Sequence, residues 1–501
     1  MAADERHCPG ERTPISLTIC HARQKRYYIK CKTCEYGEVG GAPGNPRRHT
    51  TAIKPEIFKG YDVRGIYPEE VNEEAARRIG SAVVHFLRQQ RGAIKNIVVG
   101  TDMRKSSAPL AEALIEGIIS NGVDVIDIGD VSTDVTYFAV GKYGCDGSVM
   151  VTASHNPAKY NGFKICREHA APVGLESGLA KIRDMAIHPP AAGVERPGKI
   201  IQKEVLTDYR EHVHSFIRNV RAMRIVVDAG NGMAGKMVPI IFKGLPCEII
   251  PLYFELDGSF PNHEADPLKL KNLKDLQERV REERAHLGVA FDGDADRVAF
   301  VDEKGEAIGS DLITALIARE FLNKEKGGTI VYDLRSSWVV KEEIERNGGV
   351  PCREKVGHAF IKATMRDRNA VFGGELSGHY YFRDNFYADS GMIAFIEMLN
   401  ILGRKRVSMS NLVTPLKKYY SSGEVNFTVD DKDAKIDELA EAFRDGKVDR
   451  VDGVTAEYRD WWFNVRKSNT EPRLRLNVEA KTRDLMERGL KRITSIIEGK
   501  K

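Results

Sequence analysis

Three stretches far apart in the chain share one plan. Ile97-Val98-Val99-Gly100, Ile225-Val226-Val227-Asp228 and Ile330-Val331-Tyr332-Asp333 are short apolar runs ending in glycine or aspartate. Runs so short and so rich in β-branched residues read as buried strands. Each leads into a helix-compatible stretch and then a second run: Asp124 to Ile128, Cys247 to Leu252, and Val350 to Lys355. Each then reaches a further strand with a polar exit: Thr152 to Pro157, Asp292 to Arg297, and Gly373 to His379. The order of element types repeats although the identities do not. It prescribes α/β units with mixed, largely parallel sheets. Ligands gather at the carboxyl ends of such strands, so three exits of equivalent position can face one cleft. A length of 501 residues accommodates three or four domains. The last stretch, from about Ser422 to Lys501, has another rhythm and its own polar loop, Arg466 to Pro472.

The exits differ in chemistry. After the apolar run Gly147 to Val151, Ser154 leaves the strand between Ala153 and His155, with Asn156-Pro157 following. A hydroxyl so placed is a candidate covalent group, although the same residues alone also make an ordinary turn. Asp292, Asp294 and Asp296 alternate with Gly293 and Ala295, so three carboxylates can turn towards one hard cation. Mg²⁺ fits this set. A calcium helix-loop-helix does not, because its later ligands are missing and the loop follows a strand, Leu287 to Phe291. Arg297 is the charge partner for a phosphate beside the metal. Glu375 and Ser377 pair an acceptor with a donor among flexible glycines, as vicinal sugar hydroxyls require; the alternative is a glycine turn that caps a helix. Lys355 and His358 offer a cation and an imidazole just upstream. Arg466, Ser468, Asn469 and Thr470 form a dense set of phosphate donors. Arg64 opens the first domain, and Lys164 follows Ser154 closely enough to reach the same phosphate.

Gly230-Asn231-Gly232-Met233-Ala234-Gly235 matches the dinucleotide fingerprint GxGxxG after a strand. Alone it is a weak pattern, and it leaves the other loops unexplained; a tight strand-to-helix turn is the expectation. Cys8, Cys20, Cys31 and Cys34 crowd the N-terminus, the last two as CxxC, and four thiols suit a tetrahedral structural Zn²⁺, with His21 able to replace Cys20 because Cys8 to Cys20 is not a standard spacing; the alternative is a basic arm carrying incidental thiols. Gly40 to Asn45 reads as a hinge after them. The formal charge of +4 supplies no global attraction for nucleic acid. No apolar run approaches a membrane span and no signal core is present at the start, so a cytoplasmic location is expected.

Five separated motifs then occur in one order: YDVRG from Tyr61, TASHNP from Thr152, DGDADR from Asp292, KVGH from Lys355 followed by GGELSGHYYFRD, and RKSNTEP from Arg466. In this order the chain resembles the α-D-phosphohexomutase superfamily, and most closely its phosphomannomutase/phosphoglucomutase branch, over about residues 53 to 499. The resemblance implies three related α/β domains and a C-terminal α+β domain around a central cleft. The expected boundaries are an extension over 1–50, then domains over 51–198, 199–305, 306–421 and 422–501. It implies that Ser154 carries a phosphate and that Asp292, Asp294 and Asp296 hold one Mg²⁺ together with that group. It implies that Glu375 and Ser377 read sugar hydroxyls, and that Arg466, Ser468, Asn469 and Thr470 grip the substrate phosphate. Arg64, His155, Lys164 and His358 then assist at the reacting atoms, with Arg297 and Lys355 beside them. The implied reaction moves a phosphoryl group between C1 and C6 of a hexose, with a hexose 1,6-bisphosphate as intermediate and activator. Hexose phosphates are the implied partners, and monomer and homodimer both remain open. A phosphoglucosamine mutase and a non-catalytic sugar-phosphate binder with a zinc module are the alternatives.

Overall fold

The computed structural model describes residues 52–190, 196–468 and 473–499, plus the backbone of two short antiparallel strands, Glu5–Arg6 and Ile15–Ser16. Cys8, Cys20, Cys31 and Cys34 lie outside the described residues, as do Asn469 and Thr470.

The first domain is a six-stranded sheet in the order Val63–Ile66, Tyr160–Arg167, Gly147–Val151, Asn96–Thr101, Asp124–Asp130, Ile200–Gln202. The last four strands run parallel and the first two add antiparallel pairings. Because Ile200–Gln202 pairs with Val125 to Asp127, this domain continues past the boundary expected at residue 198. A three-residue exposed edge strand carries too little pattern to be read in advance.

The second sheet runs Cys247–Leu252, Met223–Asp228, Leu287–Phe291, Val298–Val301, Ala307–Ile308. The third runs Val350–Glu354, Thr329–Asp333, Phe372–Gly374, Tyr380–Phe382, Ala388–Asp389. In both, two parallel pairings give way to two antiparallel ones. The serine loop, the aspartate loop and the Glu375 loop therefore occupy one equivalent position. Each links the last parallel strand of its sheet to an antiparallel neighbour. The C-terminal domain is a five-stranded antiparallel sheet carrying helices Lys432–Ala442 and Arg483–Ile497, and the Arg466 loop joins its strands Trp461–Lys467 and Leu474–Ala480.

Local sequence sets these elements. Helix Glu73–Arg91 starts where the Asn72 side chain accepts from Ala75 N, carries acids first and bases last, and stops at Gly92 with φ 79°. Its Gly80 and the facing Gly117 lie against backbone carbonyls, where a Cβ would stand 2.2 and 2.0 Å away, so these two helices pack unusually closely. Buried residues from each of the first three domains meet in one cluster that includes Phe138, Tyr209, Phe291 and Phe395, while the first domain also keeps a second cluster of its own around Phe86 and Phe163. The C-terminal domain keeps its own core around Phe443, Phe463 and Val465. It meets the third domain through polar contacts such as Trp338 Nε1 to Glu457 at 2.9 Å and Trp338 N to Glu479 at 3.0 Å.

Candidate active site

Ser154 is buried with φ 51°, in the left-handed region that a non-glycine residue rarely visits. Its Oγ donates to Asp292 Oδ2 at 2.7 Å and lies 3.3 Å from His155 Nδ1. The aspartate loop is pressed against it: a Cβ on Gly293 would stand 2.6 Å from Ser154 O. Met233 N in turn donates to Gly293 O at 2.9 Å, and a Cβ on Gly232 would stand 2.7 Å from that same oxygen. The GxGxxG segment is thus a tight strand-to-helix turn that supports the aspartate loop from behind.

Asp292, Asp294 and Asp296 are fully buried, with ligand oxygens within 4.8 Å of one another. Asp294 Oδ1 and Asp296 Oδ1 have no hydrogen-bond partner, which is the donor set a hard divalent cation fits. Lys164 donates to Asp294 Oδ2 at 2.8 Å and also reaches Asp296 Oδ2. Burial alone would lower its pKa, but Asp294, Asp296 and Asp292 outweigh burial and hold it protonated. Burial and the neighbouring Asp294 and Asp296 push Asp292 well above the usual carboxylate range, whereas Lys164 and His379 hold Asp296 well below it despite burial. Thr133 at the start of helix Thr133–Lys142 fixes the middle carboxylate, with Oγ1 to Asp294 Oδ2 at 2.6 Å and N to Asp294 O at 3.0 Å.

His155 is depressed well below the usual imidazole range by burial and by Arg297 and Arg64; His358 is depressed likewise by burial, Lys362 and His379. Both rings are neutral at pH 7. Arg64 pairs with Asp62 and donates to Asn156 Oδ1 at 2.6 Å, which brings it to the serine loop. His358 opens helix His358–Asp367 and meets Tyr61 edge-on at 5.1 Å between ring centroids. Lys355 lies 5.4 Å over the Phe360 ring, at the margin of the group.

The remaining loops join through two residues that the sequence reading left without a role. His379 Nδ1 lies 2.8 Å from Ser377 Oγ and 3.4 Å from Glu375, while its Nε2 is 3.6 Å from Asp296 and 3.3 Å from Arg297 Nε. Burial and Arg297 work against its protonation, but Asp296 and Glu375 prevail and push its pKa up to about 9. Arg335 pairs with Asp333 at 2.8 Å, approaches Glu375 at 3.8 Å and reaches Glu424 at 3.5 Å; Glu424 lies 3.3 Å from Arg466. A contiguous chain of contacts therefore runs from Ser154 to Arg466 through all four domains. The legible signal for Arg335 is its place two residues past Asp333, at the exit of an interior strand of the third sheet. No helix caps on Glu375 or Ser377, because a strand follows them. Ser468 lines a cavity of about 790 Å³ beside this chain, together with Tyr61 and Phe360.

Comparison with known proteins agrees with this architecture. Family models of phosphoglucomutase/phosphomannomutase match in chain order: alpha/beta/alpha domain I over residues 55–187, domain II over 207–305, domain III over 309–419, and the C-terminal domain over 424–496. A protein of Xanthomonas campestris pv. campestris described as phosphohexose mutases is 41% identical over 448 residues, covering 88% of this chain and 99% of the relative. A phosphomannomutase of Vibrio cholerae is 39% identical over 453 residues, covering 88% of this chain and 98% of that protein. The crystal structure of a phosphoglucomutase/phosphomannomutase family protein from Burkholderia thailandensis matches with a TM-score of 0.82 at 34% identity, covering 89% of this chain and 98% of the other. Four domain models in sequence, joined by one continuous site, make the assignment: the chain belongs to the phosphoglucomutase/phosphomannomutase family and is a phosphohexose mutase.

Proposed function

We propose that this phosphohexose mutase moves a phosphoryl group reversibly between C1 and C6 of mannose phosphates, and also of glucose phosphates, using Ser154 as the phosphate carrier. The observation that carries the reading is the Ser154 Oγ to Asp292 contact of 2.7 Å inside a buried triad of carboxylates. Relatives named phosphomannomutase support mannose as the sugar.

In the proposed cycle, Arg466, Ser468, Asn469 and Thr470 hold the phosphate already on the sugar, while Glu375 and Ser377 take its ring hydroxyls. The free hydroxyl attacks the phosphorus on Ser154. A P–O bond to the sugar forms, the bond to Ser154 Oγ breaks, and the hydroxyl proton passes to the site so that Oγ leaves as a hydroxyl. His155 Nδ1, neutral and 3.3 Å from Oγ, can hold that proton. Lys164, kept cationic by its carboxylates, cannot act as a base and contributes charge stabilisation, as do Arg64 and Arg297. His358, neutral at the edge of the group, and Lys355 face the sugar. The bound bisphosphate then turns end for end and returns its other phosphate to Ser154. Mg²⁺ held by Asp292, Asp294 and Asp296 with the group on Ser154 would draw charge from the transferring oxygens.

Hexose 1,6-bisphosphate serves as the activator that primes Ser154. Free Cys145, Cys166, Cys247 and Cys352 support a reducing, cytoplasmic setting, and among the described residues no helix is long and apolar enough to cross a membrane. The proposed Zn²⁺ site on Cys8, Cys20, Cys31 and Cys34 rests on spacing alone; metal analysis of the intact protein tests it, and removal of residues 1 to 45 is expected to spare turnover. Coupled turnover on mannose 1-phosphate, glucose 1-phosphate and glucosamine 1-phosphate, with Mg²⁺ and a trace of bisphosphate, tests the substrate. Preference for the amino sugar would replace the mannose reading, and no turnover on any of the three would remove it.

A further inference from the structure

We infer that Arg104 is a positioning residue for the nucleophile, holding the Ser154 loop in the shape that presents its oxygen. This rests on the reading of Ser154 as the phosphate carrier. Arg104 is 3% exposed and all of its partners are internal. Nη2 donates to Ser154 O at 2.8 Å and to Asn156 O at 2.6 Å; Nη1 donates to Pro157 O at 2.9 Å and to Tyr160 O at 3.1 Å. Nε donates to Asp102 Oδ2 at 3.2 Å, and both side chains of this pair are fully buried. Asp102 is itself held by Ser107 Oγ at 2.5 Å. From the second domain, the Phe260 ring lies 5.0 Å from the guanidinium carbon, and a Cβ at Gly258 would stand 2.6 Å from Arg104 Cα.

A buried guanidinium must satisfy its donors somewhere, and scattered acceptors would serve that need. Here three carbonyls come from one loop and the fourth from Tyr160, which opens the next strand, and one of them belongs to the nucleophile. The consequence follows from peptide planarity. The N–H of a trans peptide points opposite to its C=O. With Ser154 O drawn to Arg104, the His155 N–H is turned away from the guanidinium, and it donates to nothing among the described residues. An inward-tied carbonyl paired with an unused N–H beside a seryl oxygen is the makings of an anion-binding turn. Ser154 also holds a φ of 51°, which a residue bearing a side chain keeps only when its surroundings enforce it. Arg104 and Gly293, both held close to Ser154 O, supply that enforcement. A guanidinium suits the task because it is planar, permanently charged and forked; an ammonium offers one point.

The test uses full-length Arg104→Lys and Arg104→Met, incubated with a hexose 1,6-bisphosphate and Mg²⁺ beside the unaltered protein. Intact mass reads phosphate on Ser154, phosphorus NMR reads the environment of that phosphate, thermal unfolding reads the fold, and kcat and KM are measured on a hexose 1-phosphate. Arg104→Met is expected to lose about 100-fold in kcat with KM nearly unchanged, as a misplaced reacting group does. The phosphoserine resonance should move, and Arg104→Lys should recover part of the loss. If Arg104→Met does not fold, Arg104→Lys alone must show the kcat loss and the altered resonance. A folded variant with unaltered kcat, or a kcat loss matched by lost fold with an unmoved resonance, overturns the inference while leaving the phosphoserine reading intact. An unaltered protein that takes no phosphate on Ser154 removes that reading and this inference together.

Discussion

Ser154 Oγ and Asp292 Oδ2 stand 2.7 Å apart although 138 residues separate them in the chain. The hydroxyl follows a strand of the first sheet and the carboxylate a strand of the second, so this one contact joins two domains. Ser154→Ala removes the proposed carrier oxygen and little else. Turnover should fall by on the order of 10³-fold or more, with the unfolding midpoint and sugar-phosphate binding nearly unchanged. Near-normal isomerisation by this variant would dismiss the phosphoserine cycle.

Gly293 is glycine because Ser154 O occupies the place of its Cβ, 2.6 Å away. A backbone oxygen cannot rotate aside, so Gly293→Ala must push the two loops apart. A destabilisation of about 1–3 kcal/mol is expected, with a loss of kcat. Ala295 provides the contrast: at φ 59° it already sits where glycine is at home, so Ala295→Gly should leave kcat unaltered. Denaturant unfolding and steady-state kinetics separate the two outcomes.

Lys164 is the internal cation of the aspartate cluster. Lys164→Met leaves buried carboxylates unpaired, which should cost roughly 3–5 kcal/mol in metal-free protein. The gain in thermal stability on adding Mg²⁺ should then be larger than in the unaltered protein. Equal gains in both proteins would show that Lys164 does not offset the charge of the three aspartates.

Asp134 accepts from Ser132 at 2.5 Å in the first domain, Tyr209 at 2.5 Å on the helix that leads into the second, and Ser390 at 2.6 Å in the third. Burial lifts its carboxyl to about 6 from an ordinary 3.8, against the pull of the three hydroxyls. A raised folded-state pKa means that the folded protein binds this proton more tightly than the unfolded chain. The stability it contributes is complete below about 3.8 and is lost as pH rises to about 6. The unfolding free energy of the unaltered protein relative to Asp134→Asn should therefore decline over that interval and level off above it. A difference that does not vary with pH would place the titration elsewhere.

Much of this protein was legible before any coordinates. Short apolar runs mark an interior strand in each of the first three sheets, because a strand buried on both faces has no polar alternation to show. Asp292, Asp294 and Asp296 are legible as a cation site because alternation within one loop is a local property, and local spacing survives folding. What tertiary structure decided is everything that depends on which loop meets which. Arg335 and His379 join the Glu375 loop to Glu424 and to the aspartate loop by contacts between domains, and no spacing along the chain encodes those distances. Lys164 lies in a strand as one more basic residue until folding puts Asp294 and Asp296 around it and fixes its charge. The GxGxxG stretch has the spacing of a nucleotide loop, yet Gly232 serves the approach of Gly293 and Gly235 that of Phe254, because a missing side chain permits close contact with any backbone. Residue type and order along the chain settle strands, turns and donor sets; burial and contacts across domains settle protonation and partnership, since both arise only when distant segments exclude water together.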